Sequence, residues 1–328
     1  MSGMQGRPIK WAYAINQWKP QFDDFVRREQ HERALKTISI AGFDGVELTA
    51  GTGRWEPLGN PQQLAANFGS VHGLSEVVRA CALDGLAAFA VDLGAAYHED
   101  LQGTADPRKA ADHDTLLARA VWFADTMAGT GCRILAVRPA PSGAAGAADD
   151  DGFASMVAGW NAVGAATAER GVRTVIRFDF LTSLRLDDGW RRLTDAVDPA
   201  VVGIAMNTGE LGAAGTDPLA ELSRLGARVE HVVLSNALCE DDSAEFTRPG
   251  AEFSVRRSGG QRRVPRWFGE LEQPGLVDAE QVVRALVDLD YDGWVIVDTA
   301  PSPHPATSAL LSGYHVQRVL DPLTRRTT

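Results

Sequence analysis

Nine polar side chains stand at or just after short apolar runs in this chain: Glu47, Asp92, Arg138, Arg177, Asp179, Asn207, Glu210, Asn236 and Asp298. Carboxylates gathered with a guanidinium suit acid–base work on a carbonyl or hydroxyl group. The acids move protons, and arginine, which keeps its charge and offers a fixed fork of donors, binds an oxygen that gains charge. Taken singly, each of these residues reads more readily as a solvated loop residue or a helix cap than as a catalyst. Their recurrence at the end of run after run sets them apart. Trp18, Trp55 and Trp267 lie in loops at the same end and offer flat faces to a sugar ring or aromatic ligand. Packing under long loops is the competing account of all three. His72, His98, His231 and His304 fall near strand ends or loops, and each reads more simply as a surface or packing residue.

The elements that must position these groups follow from a rhythm of short apolar runs separated by stretches of helical periodicity. Strands are predicted at Trp11–Ile15, Gly45–Leu48, Leu86–Val91, Ile134–Val137, Thr174–Phe178, Val201–Met206, Val229–Leu234 and Trp294–Val297. Helices suit Gln30–Ile40, Gly73–Ala82, His113–Met127, Phe153–Ala168, Pro218–Leu225 and Ala279–Leu289. Alternating strands and helices imply a parallel sheet covered by helices, and eight strands are enough to close it into a single (β/α)8 barrel over residues 1–328. An open dinucleotide-binding sheet would need a glycine-rich turn after the first strand. Residues Asn16 to Pro20 stand there instead, without a glycine.

Two segments repeat a helix-to-strand turn: Gly42-Phe43-Asp44-Gly45 and Asp290-Tyr291-Asp292-Gly293. Ser142–Asp151, small and acidic, reads as a mobile loop after the fourth strand. Ala237–Val277 is a long insertion between the seventh and eighth strands, rich in arginine. A loop of that length is usually functional, and this one is expected to fold over the mouth or against a second subunit.

Composition narrows the partners. A net charge of −11 lacks the basic footprint of a nucleic-acid binder and disfavours an anionic membrane surface. The three cysteines, Cys81, Cys132 and Cys239, share no zinc or redox spacing and suit a reducing, cytoplasmic setting. The N-terminal residues lack the apolar core of a signal peptide, and no apolar run is long enough to span a membrane.

The stretches Gly42–Thr49, Val202–Glu210, His231–Asn236 and Tyr291–Asp298 resemble the xylose-isomerase-like barrel family of sugar isomerases and epimerases, along nearly the whole chain. That resemblance implies a TIM barrel whose strands five to eight present carboxylates and a histidine to one divalent metal such as Mn or Mg. The chain departs from the pattern at each of those strands. Arg177 stands at the usual glutamate, and Asn207-Thr208-Gly209-Glu210 replaces an Asp-Thr-Gly-His pattern. Val233 occupies the place of a histidine, and Asp298 is shorter than the expected glutamate. Arginine has no lone pair for a metal, so the set reads as a dismantled metal site with no cofactor.

The expected function is therefore an isomerase- or lyase-class enzyme. It would rearrange, dehydrate or cyclise a small polyhydroxylated or carbonyl-bearing substrate without a metal. Glu47, Arg177, Asp179, Glu210 and Asp298 are its catalytic candidates, and Trp18, Trp55, Arg138, Asn207, Asn236 and Trp267 its substrate contacts. Arg177 is expected to face Asp179, two residues along one side of the strand, with Asp298 and then Glu210 completing its pairing. Two alternatives stay open: a non-catalytic binding or partner subunit, and an ordinary divalent-metal-dependent sugar isomerase. A homo-oligomer and a paralogous partner are both compatible with the sequence.

Overall fold

A computed structural model of the chain describes residues 9–18, 27–50, 61–95, 103–251, 267–300, 302 and 304–325. Eight parallel strands close into one barrel: β1 (Lys10–Ala14), β2 (Gly45–Ala50), β3 (Gly85–Val91), β4 (Ile134–Val137), β5 (Arg173–Arg177), β6 (Val202–Asn207), β7 (Val229–Leu234) and β8 (Trp294–Val297). Each strand pairs with its neighbour in sequence, and β8 closes the ring on β1. Helices return the chain between them, among them Arg27–Ile40, His113–Met127, Asp150–Ala168, Pro218–Leu225 and Ala279–Asp288. The barrel and its strand order are those expected from the alternation of runs.

Strand alternation divides the interior into two compartments. Outward residues such as Trp11, Val46, Leu48, Phe89, Leu135, Ile176, Ile204, Val232 and Val295 join the large core between the strands and the helices. Inward residues make two small clusters: Ala12, Ala14, Ala87, Val233 and Ile296 form one, and Ala90, Ala136, Val175 and Ala205 the other. An alanine-rich lumen leaves volume for long side chains one step further along each strand. Continuing the inward alternation past these clusters reaches Asn16, Asp92, Arg138, Arg177, Asn207 and Asp298, all at the C-terminal mouth.

One local expectation changes, and two others gain structural detail. Asp149, Asp150 and Asp151 do not belong to a loose loop after β4. Asp149 caps the helix that follows by accepting from the Gly152 amide, and Asp150 and Asp151 occupy its first turn, where negative charge meets the unsatisfied amides and the positive end of the helix dipole. The repeated turn is real, but its two copies solve the backbone differently. Gly42 takes φ +88°, whereas Asp290 holds a left-handed φ of 56° without glycine's freedom.

The long segment after β7 is fixed at both ends by a two-stranded antiparallel ribbon that pairs Asn236–Ala237 with Phe268–Gly269. Phe246, from the described part between them, is buried under the Arg185 guanidinium, 4.0 Å from its ring centroid. Arg248 pairs with Glu245 at 2.6 Å. Residues 252–266, which carry most of the segment's arginines, lie outside the described residues, as does Trp55.

Candidate active site

Arg177, the last residue of β5, is 3% exposed and points along the lumen to the mouth. Its Nη1 donates to Glu47 Oε1 of β2 at 2.8 Å, and its Nη2 lies 3.6 Å from Asp298 Oδ2 beyond β8. The second oxygen of Glu47, Oε2, is 2.9 Å from His231 Nε2 of β7. An ionised carboxylate only accepts, so Nε2 is the protonated nitrogen of that ring. Burial by itself would raise the Glu47 carboxyl, but Arg177 and His231 outweigh it and hold the group below its ordinary range. The centre of the mouth is thus a guanidinium, an imidazole and two carboxylates brought from four strands.

Asp298 is the least enclosed of these groups, with 11% of its side chain exposed. Its Oδ2 also accepts from Asn16 Nδ2 at 3.1 Å, and its Oδ1 from the Ala300 amide. Asn16 is buried, and among the described residues its Oδ1 has no hydrogen-bond partner. A buried acceptor left without a donor is costly, so one in a barrel mouth marks a place for a ligand O–H.

Asp179, two residues beyond the end of β5, faces a different cation. Asp179 Oδ2 lies 3.0 Å from Arg138 Nε at the end of β4, and Asp179 Oδ1 accepts from the Leu181 amide. Arg138 Nη1 reaches Asp92 Oδ2 of β3 at 3.3 Å. The acid at hydrogen-bond distance from Arg177 is Glu47, which the sequence placed at the mouth but not in that pairing. Glu210, expected as a second partner, accepts from Asn207 Nδ2 and from the Phe180 amide, both at 2.9 Å.

Asn207 and Asn236 carry structural bonds. Asn207 caps the short helix Thr208–Ala213 and also accepts from Ser235 Oγ at 2.6 Å. Asn236 Nδ2 donates to the Gln273 carbonyl and so anchors the returning end of the long segment. Trp18 packs edge-on against Tyr13. Trp267 is buried beside Phe180, and its indole Nε1 has no partner among the described residues.

Two participants were not singled out by sequence. Asn16 lies in the segment read only for its missing glycines, and His231 was weighed as packing. The inward alternation from Ala12 through Ala14 could have found Asn16. A register shift between β6 and β7, at Ile204/Ala205, intervenes for His231.

A divalent cation is poorly served by this donor set. One oxygen each of Glu47 and Asp298 faces the Arg177 guanidinium and one of Asp179 faces Arg138; their other oxygens are taken by His231 and by the Ala300 and Leu181 amides, and Glu210 is bound to an amide and a helix cap. Among the described residues no three His, Cys, Asp or Glu side chains form a group that could hold a metal. No helix among them is long and apolar enough to cross a membrane.

An eight-strand parallel barrel with polar side chains converging at its C-terminal mouth is of the TIM-barrel class. More narrowly, the chain belongs to the xylose isomerase-like TIM barrel family, whose sequence profile matches residues 35–312. It is 27% identical over 175 residues to an inosose dehydratase of Geobacillus kaustophilus, covering 52% of this chain and 54% of that protein. The inosose dehydratase of Lacticaseibacillus casei is 26% identical over 157 residues, 48% of this chain and 50% of the relative. The matches therefore span about half the length of these curated relatives. Among solved structures, a sugar phosphate isomerase/epimerase from Parabacteroides distasonis superposes with a TM-score of 0.68 at 12% identity, covering 97% of this chain and all of that one (100%). A probable 3-DHS dehydratase from Bacillus anthracis gives 0.69 at 12% identity, over 95% of this chain and 100% of that one. The structural likeness establishes the fold.

Proposed function

We propose that the protein is an isomerase- or lyase-class enzyme that moves protons on a small polyhydroxylated, carbonyl-bearing substrate, with Arg177 supplying the positive charge and no metal taking part. The observation that carries this reading is the Arg177 guanidinium, buried between Glu47 and Asp298 at the mouth. Isomerisation, epimerisation and dehydration beside a carbonyl share a first step. A proton leaves the carbon next to the carbonyl, its electron pair moves into a carbon–carbon double bond, and the carbonyl pair moves onto oxygen. A fixed guanidinium in a water-poor mouth stabilises that oxygen strongly. Asp298, the most accessible acid beside it, takes the proton, and Asn16 Oδ1 orients a neighbouring substrate hydroxyl. Glu47 serves as the anchor that fixes Arg177 and His231. The names of the relatives, dehydratases by sequence and an isomerase/epimerase and a probable dehydratase by structure, support a sugar-like substrate and this class of reaction. The free cysteines of the described residues suit a cytoplasmic enzyme.

The test is Arg177→Met, which removes the charge and keeps much of the bulk. Turnover of a keto-polyol, the keto form of a cyclitol being the first choice, should fall by at least about a hundredfold, since lost oxyanion stabilisation costs ~2.7–4 kcal/mol. Metal analysis with chelator treatment and Mn or Mg add-back runs beside it. Activity that chelation abolishes and metal restores overturns the metal-free reading. The same saturation of acids by cations also favours a non-catalytic partner subunit. In that case Arg177→Met leaves function untouched and raises stability, as apolar replacement of a buried pair often does.

A further inference from the structure

Asp298 turns into the mouth, and the residue after it is held from the other side. Thr299 is buried, and its Oγ1 lies 2.7 Å from the Tyr13 hydroxyl of β1 and 2.8 Å from Ser308 Oγ in the helix Pro305–His315. Ser308 Oγ in turn donates to Glu270 Oε1 at 3.0 Å. Glu270 directly follows the ribbon strand Phe268–Gly269 and is itself buried. Three hydroxyls and a carboxylate thus form one buried chain across four elements that lie far apart in sequence.

The order of the protons in this chain follows from its end. The Ser308 proton goes to Glu270, so Ser308 accepts from Thr299. A hydroxyl has only one proton to give, so Thr299 accepts from Tyr13. One carboxylate oxygen therefore orients all three hydroxyls, and in a buried setting such bonds reinforce one another. The far end of the chain flanks the pair formed by Asn16 and Asp298. Tyr13 lies shortly before Asn16 in sequence, and Thr299 adjoins Asp298.

We propose that Glu270 is a positioning residue for Asp298. Through Ser308 and Thr299 it fixes the loop after β8, and so holds the Asp298 carboxylate against Arg177 Nη2 and Asn16 Nδ2. The inference rests on the reading of Asp298 as the proton acceptor. It ties that acid to the long segment after β7, whose returning end supplies Glu270.

The Ala300 amide, which donates to Asp298 Oδ1 at 2.9 Å, reports this placement without any need for turnover. In residue-resolved hydrogen exchange on the full-length protein, that amide should exchange at least about tenfold faster in Glu270→Ala. Thr299→Val, which keeps the branched shape and cuts the chain, should do the same, whereas Thr299→Ser should stay within about twofold of wild type. With a keto-polyol as substrate, kcat should fall about tenfold in Glu270→Ala while KM stays within about twofold, because a displaced acid costs rate more than binding. In an Asp298→Asn background Glu270→Ala should cost nothing further, since both act through one carboxylate. A clamp that serves only the fold would add its loss in both backgrounds. Unchanged exchange at Ala300 in Glu270→Ala and Thr299→Val, or losses of kcat that add, overturns the inference. Faster exchange at Ala300 beside a kcat that Asp298→Asn leaves intact overturns the proton-accepting role of Asp298 alone and leaves its placement by Glu270 standing.

Discussion

Two arginines on one strand mark the two ends of the barrel, and they are held differently. Arg173 opens β5 at the N-terminal floor. It grips Glu230 with two bonds, at 2.8 and 2.5 Å, and donates to the carbonyls of Pro199 and Ala200. Arg177 closes β5 at the mouth and is held by side chains of β2 and the end of β8. The floor arginine is a partly solvated clamp on one carboxylate and two backbone carbonyls. The mouth arginine is desolvated and secured by groups that can rearrange when a substrate oxygen arrives. Residue type is the same at both ends, so burial and the nature of the partners decide which arginine can do chemistry.

The largest effect that separates the two ends should come from Glu47→Ala. It leaves the Arg177 guanidinium buried beside a diminished set of anions and takes the hydrogen-bond acceptor from His231. Breaking a buried pair from one side costs ~3–5 kcal/mol, so denaturant unfolding should shift by that amount. A loss below about 1 kcal/mol would mean that the pair is as solvated as the one at the floor.

Next in size is the acid side of the stability profile. The Glu47 carboxyl sits below its ordinary value of 4.5 when folded, so the folded state binds its proton less readily than the unfolded chain. Its contribution is complete above about pH 4.5 and is lost as pH falls through the lowered folded value. Glu47→Gln should flatten that limb of the profile. Identical acid limbs for wild type and Glu47→Gln would remove the mouth carboxylate from the explanation.

Smaller again is Asn16→Leu. The acceptor that faces the mouth disappears, and so does the donor to Asp298. Substrate KM should rise more than kcat falls, by about tenfold for one lost hydrogen bond to a substrate hydroxyl. A pure kcat effect would assign Asn16 to holding Asp298. The smallest effect belongs to Arg173→Met at the floor, where a partly exposed pair contributes about 1 kcal/mol or less and turnover should not change.

The contrast also explains what could be read in advance. Strands such as Ile134–Val137 and Trp294–Val297, and helices such as His113–Met127, carry their periodicity locally, and their limits agree with the structure. Arg177, Asp298 and Glu47 were legible as mouth residues because strand ends in a barrel converge. Their pairings were not. Arg177 meets Glu47 across 130 positions of sequence, and His231 meets it across 184. Such contacts depend on barrel stagger and on register shifts between β2 and β3 and between β6 and β7. Periodicity carries no information about either shift. Asn207 shows the opposite case, where a residue suited to ligand binding satisfies the amide at the start of the next helix.

The ribbon that joins Asn236–Ala237 to Phe268–Gly269 has a consequence for how this barrel can diversify. It brings the two ends of the intervening segment side by side, so the chain between them is a closed loop whose anchor points are already set. The entropy of closing such a loop grows only with the logarithm of its length, about 0.6 kcal/mol for each doubling. Lengthening that loop therefore adds little closure cost to the barrel, provided that Phe246 keeps its place under Arg185 and Trp267 its place beside Phe180. The ribbon works as a socket, and segments of different length and charge can be grafted there while the strand ends beneath keep their positions.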